Sequence, residues 1–139
     1  MARILVLDDN GPIRDLIKEE LALAGHTVSA LGDAELAGDA IDRFGPDLLI
    51  LDLYMNRMDR WDILARMKDR FPNLPVIIHS AYDGYRQDER SLMADGFVLK
   101  RASLEGLKEN VRSVARGSTL RPAHGRARAR NGPYQPARF

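Results

Sequence analysis

The residue pattern predicts an α/β protein built as one domain, with a five-stranded parallel sheet covered by helices on both faces. Three observations carry this. Short apolar runs alternate five times with segments of helical periodicity. The runs at 3–7, 47–51 and 76–79 are nearly all apolar with little alternation, as strands buried on both sides are. The chain has 139 residues, enough for one core and short for two.

The elements follow in order. The first strand, 3–7, stops at Asp8 and Asp9. Asn10-Gly11-Pro12 then opens a helix, because proline in the first turn gives up an N–H that has no helical partner anyway. Ile13, Leu16, Ile17, Leu21 and Ala24 recur at helical spacing, and Gly25 stops the helix. Residues 26–31 form a second strand. Asp33 caps a helix to about 43, with Leu36, Ala37, Ala40 and Ile41 on one face. Gly45-Pro46 turns the chain into a third strand, 47–51, which ends at Asp52. Residues 53–60 read as a loop. A helix over about 60–70 carries Trp61, Leu64, Ala65 and Met67, and Met58 joins these as a packing residue rather than part of a cofactor site. The fourth strand, 76–79, leads to Ser80-Ala81, and a short helix falls within 85–94. The fifth strand, 97–99, ends at Lys100. Ser103 caps a last helix with Leu104, Leu107, Val111 and Val114 inward.

Right-handed crossovers leave few topologies for five βα units. The commonest at this length is the doubly wound, flavodoxin-like sheet of strand order 2-1-3-4-5. The domain is expected over 1–116. Residues 117–139 are dominated by Pro, Gly, Ala and Arg and are expected to form a disordered basic tail, since they cannot bury enough surface to offset their ordering entropy. The net charge of +1 hides this division. Residues 1–115 hold 15 Lys/Arg and all 20 Asp/Glu, a net −5, whereas 116–139 hold six Arg and no acid. The tail reads first as a solvated extension, and only speculatively as a nucleic-acid contact or a segment folded on the acidic body. Cysteine is absent, which excludes disulfides, thiol catalysis and zinc fingers. No stretch is long enough to span a bilayer, and a cytoplasmic protein is expected.

Ligands of open parallel sheets bind at the carboxyl ends of the strands. Those ends bring Asp8, Asp9 and Asn10, then Asp52, Ser80 and Lys100, to one edge. Three carboxylates together repel, and a hard divalent cation relieves them. A carboxylate beside such a cation can act as the nucleophile in phosphoryl transfer.

The set Asp8-Asp9, Asp52, Ser80-Ala81 and Lys100, each following a strand in that order, resembles the receiver domain of bacterial response regulators, over about residues 2–115. The resemblance implies that Asp52 takes a phosphoryl group from a phosphohistidine on a histidine kinase or phosphotransfer protein, with Mg²⁺. It implies that Asp9 binds Mg²⁺ directly, Asp8 largely through water, and that Asp52 and the Tyr54 carbonyl join them. Lys100 pairs with the phosphoryl group, Ser80 swings toward it, and Phe97 is the switch aromatic. The chain would catalyse its own phosphorylation and dephosphorylation, yet serve mainly as a switch. Output runs to a downstream protein, with a phosphorylation-dependent homodimer as a further possibility, and no output domain is expected on the chain. Tyr54 and Tyr82, two residues after Asp52 and Ser80, are expected to flank the water path and slow hydrolysis.

Three positions depart from the family pattern: Asn56 and Arg60 stand where proline and glycine are common, and Arg101 replaces the proline after the lysine. A trans Lys100–Arg101 bond is expected, because the cis form costs about 2.5–4 kcal/mol without proline. The alternative is a phosphorylation-independent interaction module with a degenerate site. A flavin protein of the same fold is disfavoured, since Asp8-Asp9 would repel a flavin phosphate and Pro12 removes a donor.

Overall fold

The computed structural model describes residues 1–101 and 103–120. Five parallel strands form the sheet: β1 (Arg3–Leu7), β2 (Thr27–Leu31), β3 (Leu48–Leu51), β6 (Val76–Ser80) and β7 (Gly96–Leu99). Their order is β2-β1-β3-β6-β7. This is the expected 2-1-3-4-5 once the two-residue strands β4 (Tyr54–Met55) and β5 (Met58–Asp59), which pair only with each other, are set aside. The helices are α1 (Gly11–Leu23), α2 (Ala37–Phe44), α3 (Trp61–Arg70) and α4 (Glu105–Leu120).

Alternation along the strands splits the core into two layers. Leu5, Leu7, Leu49, Leu51, Val76 and Ile78 pack with Ile41 of α2 and with Leu64 and Met67 of α3. Ile4, Val6, Leu48, Ile50 and Ile77 pack on the other side with Ile17 and Leu21 of α1 and with Leu107, Val111 and Val114 of α4. No helix among the described residues is long and apolar enough to cross a membrane.

Local chemistry sets the helix ends. Asn10 Oδ1 accepts from Ile13 N at 3.0 Å to cap α1, and Ser103 Oγ accepts from Glu105 N at 3.1 Å to cap α4. Gly45 closes α2 in the left-handed region at φ 64°.

Several expectations need correction. Asp33 caps a 3₁₀ turn, Ala34–Leu36, before α2 begins. The short helix expected within 85–94 is instead a pair of 3₁₀ turns, Asp83–Gln87 and Glu89–Met93. The carboxylate of Asp88 accepts from Arg90 N at 2.9 Å and its backbone is extended, which breaks the segment in the middle. Neither turn fully buries a residue, and Tyr85 and Met93 pack only partly against the core, a small reward for a continuous helix. The loop at 53–60 contains the hairpin β4–β5, whose two-residue turn places both Asn56 (φ 53°) and Arg57 (φ 65°) in the left-handed region. Leu16, Leu36 and Met58 are exposed, not packed. Helix α4 runs to Leu120, past the domain boundary expected at 116. The rest of the expected tail, 121–139, lies outside the described residues.

Candidate phosphoacceptor site

The carboxyl ends of β1, β3 and β7 meet. Asp8 N donates to Leu31 O and Asp52 N donates to Leu7 O, so the sheet ladder carries on into the acids and fixes where they project. Asp8, Asp9 and Asp52 each offer an oxygen within 4.8 Å of the others. Asp8 and Asp52 are buried, with side chains 3% and 7% exposed, whereas Asp9 is exposed.

Each carboxylate is tied down by the backbone. Asp8 Oδ1 accepts from Asn10 N at 2.9 Å, Asp52 Oδ1 from Tyr54 N at 3.0 Å, and Asp9 Oδ2 from Asn56 N at 2.9 Å. The Lys100 N–H donates to Ser80 O at 2.7 Å, which brings the amine over the cluster. Its Nζ lies 2.9 Å from both Asp52 Oδ2 and Asp8 Oδ2. The contact to Asp52 Oδ2 is the better aligned hydrogen bond, and among the described residues the Lys100 ammonium is the polar neighbour of the buried Asp8 Oδ2. The Lys100–Arg101 bond is trans, as no described peptide bond is cis.

The electrostatics follow from burial. Loss of solvent raises the Asp52 pKa above the ordinary carboxylate value; Lys100 and the Tyr54 N–H pull it back only in part, and Asp8 adds to the rise. Burial works against the Lys100 charge, but Asp52 and Asp8 outweigh it and hold the ammonium above its usual value.

Ser80 is fully buried at the end of β6, and its Oγ accepts from Tyr82 N at 3.0 Å. The Tyr54 and Tyr82 rings meet edge to face with centroids 5.1 Å apart. Tyr82 also meets Tyr85, and Tyr85 meets Trp61, at 5.6 and 5.4 Å. Phe97 is half-buried, with the Arg86 guanidinium 4.6 Å from its ring centre. The sequence reading thus locates Asp8, Asp9, Asp52 and Lys100 in one cluster, with Ser80, Tyr54 and Tyr82 around it.

Three neighbours have no site role in the sequence reading. Arg14 donates to the Asp8 carbonyl at 2.7 Å, in space that a side chain at Gly32 would fill. Asn56 holds Asp9 through its backbone, and its only signal was a proline-like position without proline. His79 is buried on β6 beside Lys100 and Asp8, which both act on its charge.

The molecule is thus an α/β domain whose doubly wound sheet gathers an acid cluster and one lysine at its carboxyl edge, where open parallel sheets bind their ligands. The chain belongs to the response regulator receiver domain family, whose model matches residues 4–112. It is similar to Response regulator MprA of Mycobacterium ulcerans, 30% identical over 120 residues that cover 85% of this chain and 52% of that protein. The chain spans about half the length of the curated relatives it matches. Among solved structures it resembles response regulator protein TrrA from Thermotoga maritima in complex with Mg²⁺-BeF, at 33% identity and a TM-score of 0.76, covering 82% of this chain and 99% of that one. It also resembles TrrA in complex with histidine kinase ThkA (33%, TM-score 0.75, 82% and 98% covered) and NtrX from Brucella abortus (29%, TM-score 0.79, 88% and 29% covered).

Proposed function

We propose that this two-component receiver domain accepts a phosphoryl group on Asp52 from a phosphohistidine of a histidine kinase or phosphotransfer protein, with Mg²⁺. The observation that carries the reading is the cluster itself: three carboxylates within 4.8 Å, with one ammonium 2.9 Å from two of them. The donor set suits Mg²⁺, being all oxygen, and among the described residues the buried Asp8 Oδ2 has the Lys100 ammonium as its one polar neighbour besides the acids. Asp9, Asp8 and Asp52 would hold the ion, together with the carbonyl of Tyr54. When bound, Mg²⁺ neutralises the carboxylates and the charge on the phosphoryl oxygens.

An Asp52 oxygen attacks phosphorus; the new O–P bond forms as the P–N bond to the donor imidazole breaks, and the imidazole leaves with the electron pair. Lys100 pairs with a phosphoryl oxygen as it leaves Asp52 Oδ2. Ser80 exchanges the Tyr82 N–H for a phosphoryl oxygen, and Phe97 follows by turning inward, which changes the β7–α4 face read by a downstream protein. Tyr54 and Tyr82 screen the phosphoryl group from water. The trans geometry at Arg101 still lets Lys100 reach Asp52, which supports this reading over a degenerate interaction module. A cytoplasmic setting fits a kinase donor.

The test is incubation with acetyl phosphate and Mg²⁺ followed by intact mass. Wild type should gain one phosphoryl group and Asp52→Asn none. Equal labelling of both, or none of wild type, refutes the proposal.

A further inference from the structure

We propose that the β4–β5 hairpin is a positioning clamp for Asp9, acting through the backbone N–H of Asn56; the inference rests on the phosphoacceptor reading above. The bond from Asn56 N to Asp9 Oδ2, 2.9 Å long, spans 47 positions of sequence. Asp9 is the exposed acid of the cluster, so burial does not fix its rotamer. Asp8 and Asp52 are held by burial, by neighbouring N–H groups and by Lys100. For Asp9 the Asn56 N–H takes over that task.

The hairpin accepts a steric cost to aim that N–H. Its turn needs two successive residues with positive φ, and this chain uses Asn56 and Arg57, neither of them glycine. Asparagine tolerates the region; arginine does so less readily. Backbone of this kind persists only where the surroundings over-determine it. Here they do so at three points. The Tyr85 hydroxyl donates to Asp59 in β5. Arg60 N donates to Leu53 O at 2.6 Å. The Arg60 guanidinium, largely buried, bonds Asp62 of α3 and reaches Glu35 at 3.2 Å.

Two departures from the family pattern then have one explanation. A proline at 56 has no N–H to give and cannot take a φ of 53°. A glycine at 60 has no guanidinium to fasten the hairpin to α3 and Glu35. Positions 56 and 60 together turn the loop after Asp52 into a support for the exposed acid, leaving one oxygen of Asp9 outside the Asn56 bond.

The test measures Mg²⁺ dissociation constants by isothermal titration calorimetry on the full chain, with circular dichroism as the folding control. In one variant asparagine at 56 is replaced by its α-hydroxy acid, so that a backbone ester removes the N–H alone. Asn56→Gly is the conservative variant, keeping the N–H in a residue at ease with positive φ. The ester and Asn56→Pro should each raise Kd about tenfold, the weight of one hydrogen bond to a charged group. Asn56→Gly should stay within about twofold of wild type. An ester that binds like wild type, or a glycine variant that loses as much as the ester, overturns the clamp. Failure of wild type to bind Mg²⁺ overturns the phosphoacceptor reading instead, and the clamp with it.

Discussion

Acidification should weaken this fold through His79. The imidazole sits on β6 at 2% exposure, and its Nδ1 has no hydrogen-bond partner among the described residues. Burial first, and Lys100 second, push its pKa from 6.5 down to about 4, with Asp8 opposing. The unfolded chain protonates near 6.5, so between there and about 4 it binds more protons than the fold does. Stability is therefore untouched above pH 6.5, falls as pH drops through the window, and levels off below about 4. A drop of that size corresponds to about 3 kcal/mol, a large part of a typical domain stability of about 5–15 kcal/mol. Urea denaturation of wild type and His79→Leu at intervals from pH 7 to pH 4 isolates the effect, because the carboxylates titrate in both and cancel in the difference. The variant should be at least as stable at pH 7, having lost an unpartnered buried nitrogen. Its advantage should grow to about 3 kcal/mol near pH 4. Parallel curves for the two proteins would refute the reasoning.

Three other perturbations have defined outcomes. Lys100→Met leaves Asp8 and Asp52 facing each other without their cation, and should cost about 3 kcal/mol in EDTA by urea denaturation, with Mg²⁺ restoring part of it; no loss, or no restoration, counts against the arrangement. Tyr82→Ala removes a half-exposed ring packed on Tyr54 and should speed loss of label from phosphorylated protein severalfold, whereas an unchanged lifetime means the two rings do not screen the site. Arg60→Ala should destabilise the domain by about 1 kcal/mol. It should also release the Asp62 carboxyl, which Arg60 holds at about 2, toward its ordinary value, as read by NMR titration. In wild type the stability from that depressed pKa is present above pH 3.8 and is lost as pH falls through about 2.

The sheet was legible because its strands are buried on both faces and end in chemistry. Runs such as Leu48–Leu51 have no polar residue until Asp52, so periodicity and site announced each other. The acid cluster was legible for the same reason, since strand ends of a parallel sheet share an edge. The hairpin was not, because two-residue strands are too short for a period and Asn56-Arg57 lacks the usual turn glycine. The pair of 3₁₀ turns stands where a short helix is expected, because the break at Asp88 and the merely partial burial of Tyr85 and Met93 show only in the fold. His79 falls within the fourth strand, so its burial was foreseeable, but the nearness of Lys100 and Asp8 needed the fold. Arg60 and Asn56 were visible as departures, and only their partners, Glu35, Asp62 and Asp9, gave them meaning.

The most direct test of the whole account is to locate the phosphoryl group. Borohydride reduces an aspartyl phosphate to homoserine, so reductive trapping after acetyl phosphate and Mg²⁺, followed by peptide sequencing, names the acceptor. The account predicts homoserine at position 52 and at no other acid. Reduction at residue 8 or 9, or at no carboxyl group, would contradict it.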